Sequence, residues 1–93
     1  MKLMGIELTI LIYDAYSLKD KRSVVKSILK KVSNQFNVSV AETDELDTQN
    51  RAVIGFGIVG NNSVLCEKIL NQVIEYIEAN YEVEITDIDR LAY

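Results

Sequence analysis

The chain predicts an α+β fold in which a four-stranded antiparallel sheet carries two helices on one face. Two observations predict it. Apolar residues recur with period two in four stretches and with helical spacing in two others. The six segments follow one another as β-α-β-β-α-β, with two strands joined directly between the helices, which reads as a split βαβ arrangement.

Residues 3–13 open the chain as a strand, with Met4, Ile6, Leu8, Ile10 and Ile12 on one face and Gly5, Glu7, Thr9, Leu11 and Tyr13 on the other. Asp14-Ala15-Tyr16 is a short loop. Ser17-Leu18-Lys19-Asp20 then reads as a capping box, its hydroxyl and carboxylate satisfying the N–H groups that a helix start leaves free. The helix runs to about Gln35, with Leu18, Val25, Ile28, Leu29, Val32 and Phe36 at helical spacing. Phe36 to Ala41 alternates again as a second strand, and the acidic stretch Glu42 to Asn50 forms a hairpin turn.

Arg51 to Gly60 is the third strand, with Ile54, Phe56 and Ile58 facing the helices and Val53, Gly55, Gly57 and Val59 on the open face. Asn61-Asn62-Ser63 supplies candidate N-caps. The second helix carries Leu65, Ile69, Leu70, Val73, Ile74 and Ile77 inward. Tyr81 to Asp89 closes the sheet, with Val83 and Ile85 against Glu82 and Glu84. The result is a ferredoxin-like fold, a single domain over residues 1–93.

Composition narrows the chemistry. Apolar residues make up 48% and charged residues 26%, an ordinary globular balance. No apolar run approaches the ~20 residues that span a bilayer, so no membrane segment is expected. The first residues alternate like a strand and are interrupted by Glu7, unlike a signal peptide. The single cysteine excludes an intramolecular disulfide and fits a reducing cytoplasm. Cys66 falls within the second helix and is expected to be a buried thiol. With no histidine, imidazole acid–base chemistry and imidazole metal ligation are excluded.

The charge is unevenly placed. Of ten cationic residues, six lie between positions 19 and 31: Lys19, Lys21, Arg22, Lys26, Lys30 and Lys31. From Ser17 to Phe36 they stand against Asp20 alone, a local +5 within a chain of net −4. Lys19, Arg22, Lys26 and Lys30 share an arc of roughly 80°, away from Val25, Ile28 and Val32. Lys31 lies outside that stripe, and Lys21 borders the apolar face, where its stem is expected to snorkel.

The placement works against the helix. Cations in a first turn cost roughly 0.3–1 kcal/mol each against the helix dipole. The i,i+4 pairs Arg22/Lys26 and Lys26/Lys30 repel by a few tenths of a kcal/mol. A face needed only for solubility can be built from mixed charges without that cost, so the stripe points to an anionic partner such as RNA. A solvated basic face, or self-association with the acidic hairpin or fourth strand of another copy, remains open. Lys21, Lys31 and Arg51 are secondary candidates for phosphate contact.

The third strand superficially resembles the first ribonucleoprotein motif of RNA-recognition domains, but Ile54 and Ile58 stand where a cation and an aromatic are needed. Base stacking on the open face is therefore not expected. Gly55 and Gly57 weaken a central strand. Close approach of another backbone would explain them, as would a twist or bulge, and a homodimer contact over Gly55, Gly57, Val53 and Val59 is one reading. Glu42, Asp44, Glu45 and Asp47 match no calcium-loop spacing and read as a solvated turn guarding a sheet edge. The glycine-rich phosphate loop of acylphosphatases, GxGxxG, the P-loop and the nucleophile elbow are all missing. No enzyme, metal or cofactor is expected.

Three motifs in this order carry a resemblance: Ser17-Leu18-Lys19-Asp20-Lys21-Arg22, Phe36-Asn37-Val38-Ser39-Val40-Ala41-Glu42, and Arg51-Ala52 before the glycine-bearing strand. Over nearly its whole length the chain resembles the YlxP-like family (domain of unknown function 503) of small bacterial proteins. Members commonly place a tryptophan and a glutamine before the Arg-Ala pair, where this chain has Gln49 and Asn50. The resemblance implies a ferredoxin-like fold with no established activity. It also implies a neighbourhood of translation and ribosome-assembly genes, hence an RNA or ribosomal-particle partner. A cytoplasmic, non-enzymatic module docking its first helix on phosphates is the leading expectation. The alternative is a protein-interaction module that homodimerises through its sheet and binds an acidic partner.

Overall fold

The period-two and helical stretches take up the expected order in the computed structural model, which describes residues 1–93. The elements are β1 (Lys2–Ile12), α1 (Leu18–Gln35), β2 (Ser39–Asp44), β3 (Arg51–Gly60), α2 (Ser63–Asn80) and β4 (Val83–Ala92). The strands lie in the order β2-β3-β1-β4, and every neighbouring pair is antiparallel. This is the ferredoxin-like arrangement, with both helices on one face.

Alternation sorts β1 and β3 into two faces. Ile6, Leu8, Ile10 and Ile12 join Ala52, Ile54, Phe56 and Ile58 in one buried cluster with Val25, Ile28 and Val32 of α1 and Leu70, Val73 and Ile77 of α2. Each buried Leu, Ile, Val or Phe contributes about 1.5–3 kcal/mol relative to an exposed one. Phe56 is 2% exposed, so the strand resembling a base-stacking motif spends its aromatic ring on the core. Cys66 is buried there too, as expected of a packed thiol.

The caps explain where the helices begin. The Ser17 hydroxyl accepts the Asp20 N–H at 3.1 Å, and the Asp20 carboxylate accepts the Tyr16 N–H at 3.1 Å. At the start of α2, Asn62 Oδ1 accepts from the N–H groups of Val64 (3.0 Å) and Leu65 (3.2 Å). Three details depart from the sequence reading. Phe36 caps α1 through its N–H to Val32 O at 2.8 Å, so β2 begins at Ser39 rather than Phe36. In α2 the buried stripe starts at Cys66, leaving Leu65 53% exposed. β4 runs to Ala92 rather than Asp89, and beyond it Leu3 and Tyr93 exchange backbone hydrogen bonds of 3.1 and 2.7 Å.

Two bulges interrupt the ladders. Asp87 pairs with Thr9 and Ile85 with Ile10, so Thr86 is an extra residue on β4. Asp44 pairs with Val53 and Glu42 with Ile54, which makes Thr43 the extra residue on β2. No helix is long and apolar enough to cross a membrane.

Candidate functional site

The basic stretch divides in two when it folds. Lys21, expected to snorkel toward phosphate, is 0% exposed. Its position falls in the same helical phase as Val25, Ile28 and Val32, and the hairpin closes over it. Nζ lies 2.7 Å from Glu42 Oε2 and donates to the carbonyls of Glu45 at 2.6 Å and Leu46 at 3.2 Å. Two carbonyl acceptors and one counter-charge offset the large cost of burying an ammonium. The contact to Glu42 is ionic rather than a well-directed hydrogen bond, and no other donor reaches that oxygen.

The hairpin is shaped to supply those carbonyls. Glu45 adopts φ 58, a left-handed conformation uncommon for a residue with a Cβ. Asp44 Oδ1 accepts the Glu45 N–H at 2.8 Å, and Thr48 N–H bonds the Glu45 carbonyl at 3.2 Å. Gln49 Nε2 ties the same turn to Ala15 O at 3.1 Å, and Ile12 N–H donates to Asn50 O at 2.8 Å. One carboxylate of the acidic turn faces inward, Glu42 to Lys21, while Asp44 orders the backbone and the solvated Asp47 reaches Arg22. Lys21 is therefore removed from the phosphate-contact set. Sequence reasoning missed the pair, although Lys21 sits in the buried phase of α1 and Glu42 in the inward phase of β2 after Val38 and Val40.

The other cations stay outside. Lys19, Arg22, Lys26 and Lys30 are exposed along α1, as the helical spacing predicts. Of these, only Arg22 has a carboxylate within 4.0 Å, Asp47 at 3.7 Å, and both groups are solvated. An ion pair so exposed contributes little. Lys31 is exposed but lies apart from the stripe, in a recess with Asn34, Gln35 and Tyr76. Arg51 begins β3 opposite Leu11, so it belongs to the far face of the sheet and not to the helix stripe.

The loop into α1 carries two exposed tyrosines. The Tyr13 phenol donates to the Glu84 carboxylate. That hydrogen bond, with smaller contributions from desolvation and from repulsion by the Glu84 charge, raises the Tyr13 pKa above its ordinary 10.0. Tyr16 is exposed beside the Ser17 cap.

The sheet face away from the helices is an open trough of about 480 Å³, floored by Gly5, Gly55 and Gly57 and walled in part by Leu3, Leu91 and Tyr93. Gly57 pairs with Gly5 and with Ser39 across the two ladders, and Gly55 with Glu7 and Ala41. Of the residues named for an interface, Gly55, Gly57 and Val53 are half-buried and Val59 is exposed at one end. The carboxylates of this face are Glu7, Asp44, Glu84, Asp87 and Asp89 by register, against the guanidinium of Arg51.

Comparison with known proteins adds a family. Residues 4–90 match the family described as "Protein of unknown function (DUF503)". The chain is 45% identical over 76 residues to the "Uncharacterized protein YlxP" of Bacillus subtilis, which covers 82% of this chain and 83% of that protein. The structure shows what two of the motifs that carried the resemblance do together, since Lys21 of the first is paired with Glu42 of the second. From the family match over residues 4–90 and the identity to a relative of similar length, the chain belongs to the DUF503 family.

Proposed function

We propose that the protein is a non-enzymatic cytoplasmic module that docks the exposed face of α1 on the phosphates of RNA or of a ribosomal particle. One observation carries this reading: Lys19, Arg22, Lys26 and Lys30 line an exposed face, and their one ion pair is the solvated Arg22–Asp47 contact. Lys19 and Arg22 oppose the helix dipole, the pairs Arg22/Lys26 and Lys26/Lys30 repel one another, and Lys21, the cation that serves the fold, has been drawn inward. Lysine ammonium groups act as point charges, so such a face positions a phosphate backbone and does not read bases. The gene neighbourhood implied by the family resemblance agrees with a translation-linked RNA.

The test is binding to structured RNA and to purified ribosomal subunits across a salt series, beside a variant with Lys19, Arg22, Lys26 and Lys30 changed to Gln. Four phosphate contacts predict that log affinity falls with log salt at a slope of about −3 to −4. The variant is expected to fold, because none of the four is buried, and to lose both the binding and the slope. No binding by the parent chain at low salt rejects the RNA reading and leaves an acidic protein as the partner of this face.

A further inference from the structure

The glycines of the sheet are not equivalent. A Cβ on Gly60 would lie 2.7 Å from Cys66 Sγ, so close packing of α2 demands glycine there. A Cβ on Gly5 would meet the Phe56 carbonyl oxygen at 3.1 Å, and one on Gly55 the Thr43 methyl at 2.9 Å. A Cβ on Gly57 would meet nothing within 4 Å. Its φ is not positive, and it lies in an unbroken register with β1. A glycine inside a strand weakens it, and here nothing within the molecule requires one. What the bare position does is leave the trough open between Leu3, Leu91 and Ala41.

The charges around the trough say what fits it. Glu7 and Asp89 are direct partners across the β1–β4 ladder, and Asp87 follows on the same face. Like charges directly opposite one another destabilise a sheet, yet no lysine or arginine lies within 4.0 Å of any of the three. Thr43 donates to Glu7 at 2.7 Å, which is a hydrogen bond and not a counter-charge. A second copy stacked face to face would add more carboxylates of the same kind. A cationic partner would neutralise those present.

We infer that the open sheet face docks an amphipathic segment of a basic protein, its apolar side chains seated over Gly57 and its Lys or Arg residues against Glu7 and Asp89. Binding here is independent of phosphate docking, because α1 lies on the other face of the sheet.

The probe is a fluorescently labelled amphipathic peptide of Leu and Lys, titrated by anisotropy beside Ser/Lys and Leu/Glu peptides of equal length. The Leu/Lys peptide is expected to bind, and the other two to bind at least about tenfold more weakly, since each lacks one half of the recognition. Gly57→Val fills the floor with a strand-forming side chain whose Cβ meets no neighbour within 4 Å, so its Tm is expected to hold or rise while affinity for the Leu/Lys peptide falls about tenfold or more. The pair Glu7→Gln and Asp89→Asn is expected to weaken binding and flatten its salt dependence. The variant with Gln at Lys19, Arg22, Lys26 and Lys30 is expected to retain it, which separates this inference from the RNA reading. Undiminished binding by a folded Gly57→Val chain overturns the inference, as does failure of the parent chain to bind. A parent dimer that Gly57→Val dissolves also overturns it, by giving the trough to a second copy.

Discussion

The two helices share four buried positions, and α2 buries Ile74 besides. Each is 18 residues long, and each buries its fourth, eighth, eleventh and fifteenth residue: Lys21, Val25, Ile28 and Val32 in α1, Cys66, Leu70, Val73 and Ile77 in α2. The leading position holds a charge in one and a small thiol in the other. Gly60 lies directly beneath Cys66 and leaves no spare room. Lys21 instead faces the short edge strand β2, where the hairpin folds over and offers a carboxylate and two carbonyls. Helical phase thus decides which residue is buried, and the neighbouring loop decides whether that residue can be charged.

If the hairpin is what permits a charge at that position, removing the charge should be costly. Lys21→Ala is expected to destabilise the domain by about 3–5 kcal/mol, since the buried Oε2 of Glu42 is then left without a counter-charge, measured by urea denaturation. Lys21→Ala combined with Glu42→Ala should cost clearly less than the sum of the single changes, a coupling that only a direct pair produces. Additive costs would mean that the hairpin is held by other contacts and that the lysine is incidental. The two N-caps differ as well. Ser17→Ala and Asn62→Ala are each expected to cost about 1 kcal/mol. Asn62 is expected to be the costlier because its side chain satisfies two N–H groups where Ser17 satisfies one.

The smallest effect lies where the loop into α1 meets the strand that follows α2, at Tyr13 and Glu84. The folded pKa of Tyr13 is raised, so its contribution to stability is full below 10.0 and is lost as pH rises through the raised value. Glu84→Gln removes the charge and weakens the acceptor. The phenolate absorbance of Tyr13 should then appear at lower pH than in the parent chain, read as a difference against the other tyrosines. An unchanged titration would show that the two groups do not interact in solution.

Much of the fold was legible because burial imposes period two on strands and period 3.6 on helices. The errors fall where that imprint is ambiguous. Phe36 is apolar whether it starts a strand or caps a helix, so alternation alone could not place the start of β2. β4 is expected to end at Asp89 and runs to Ala92, because the extra residue Thr86 shifts the alternation that Val83 and Ile85 begin. Leu65 is the larger hydrophobe, while the packing phase belongs to Cys66. At the candidate site, the spacing of Lys19, Arg22, Lys26 and Lys30 was readable, because an exposed face of a helix follows from phase alone. Residue type sends the Lys21 ammonium to solvent, whereas it is buried against a partner that lies 21 positions away in the chain. The glycines were visible as a cost, but sorting Gly57 from Gly60 needs distances that no spacing encodes.

The bulge at Thr86 reaches further than its one residue. Before it, Val83 and Ile85 lie opposite the inward Ile12 and Ile10, and after it the inward partners are Ile88 and Arg90. Asp87, Asp89 and Leu91 have thereby changed sides, because a single-residue slip exchanges the two faces of a strand. The acidity of the open face is thus set by how many residues β4 contains as much as by which residues they are. Between relatives, one inserted or deleted position near 86 would invert the polarity of half that surface while leaving every amino acid in it unchanged.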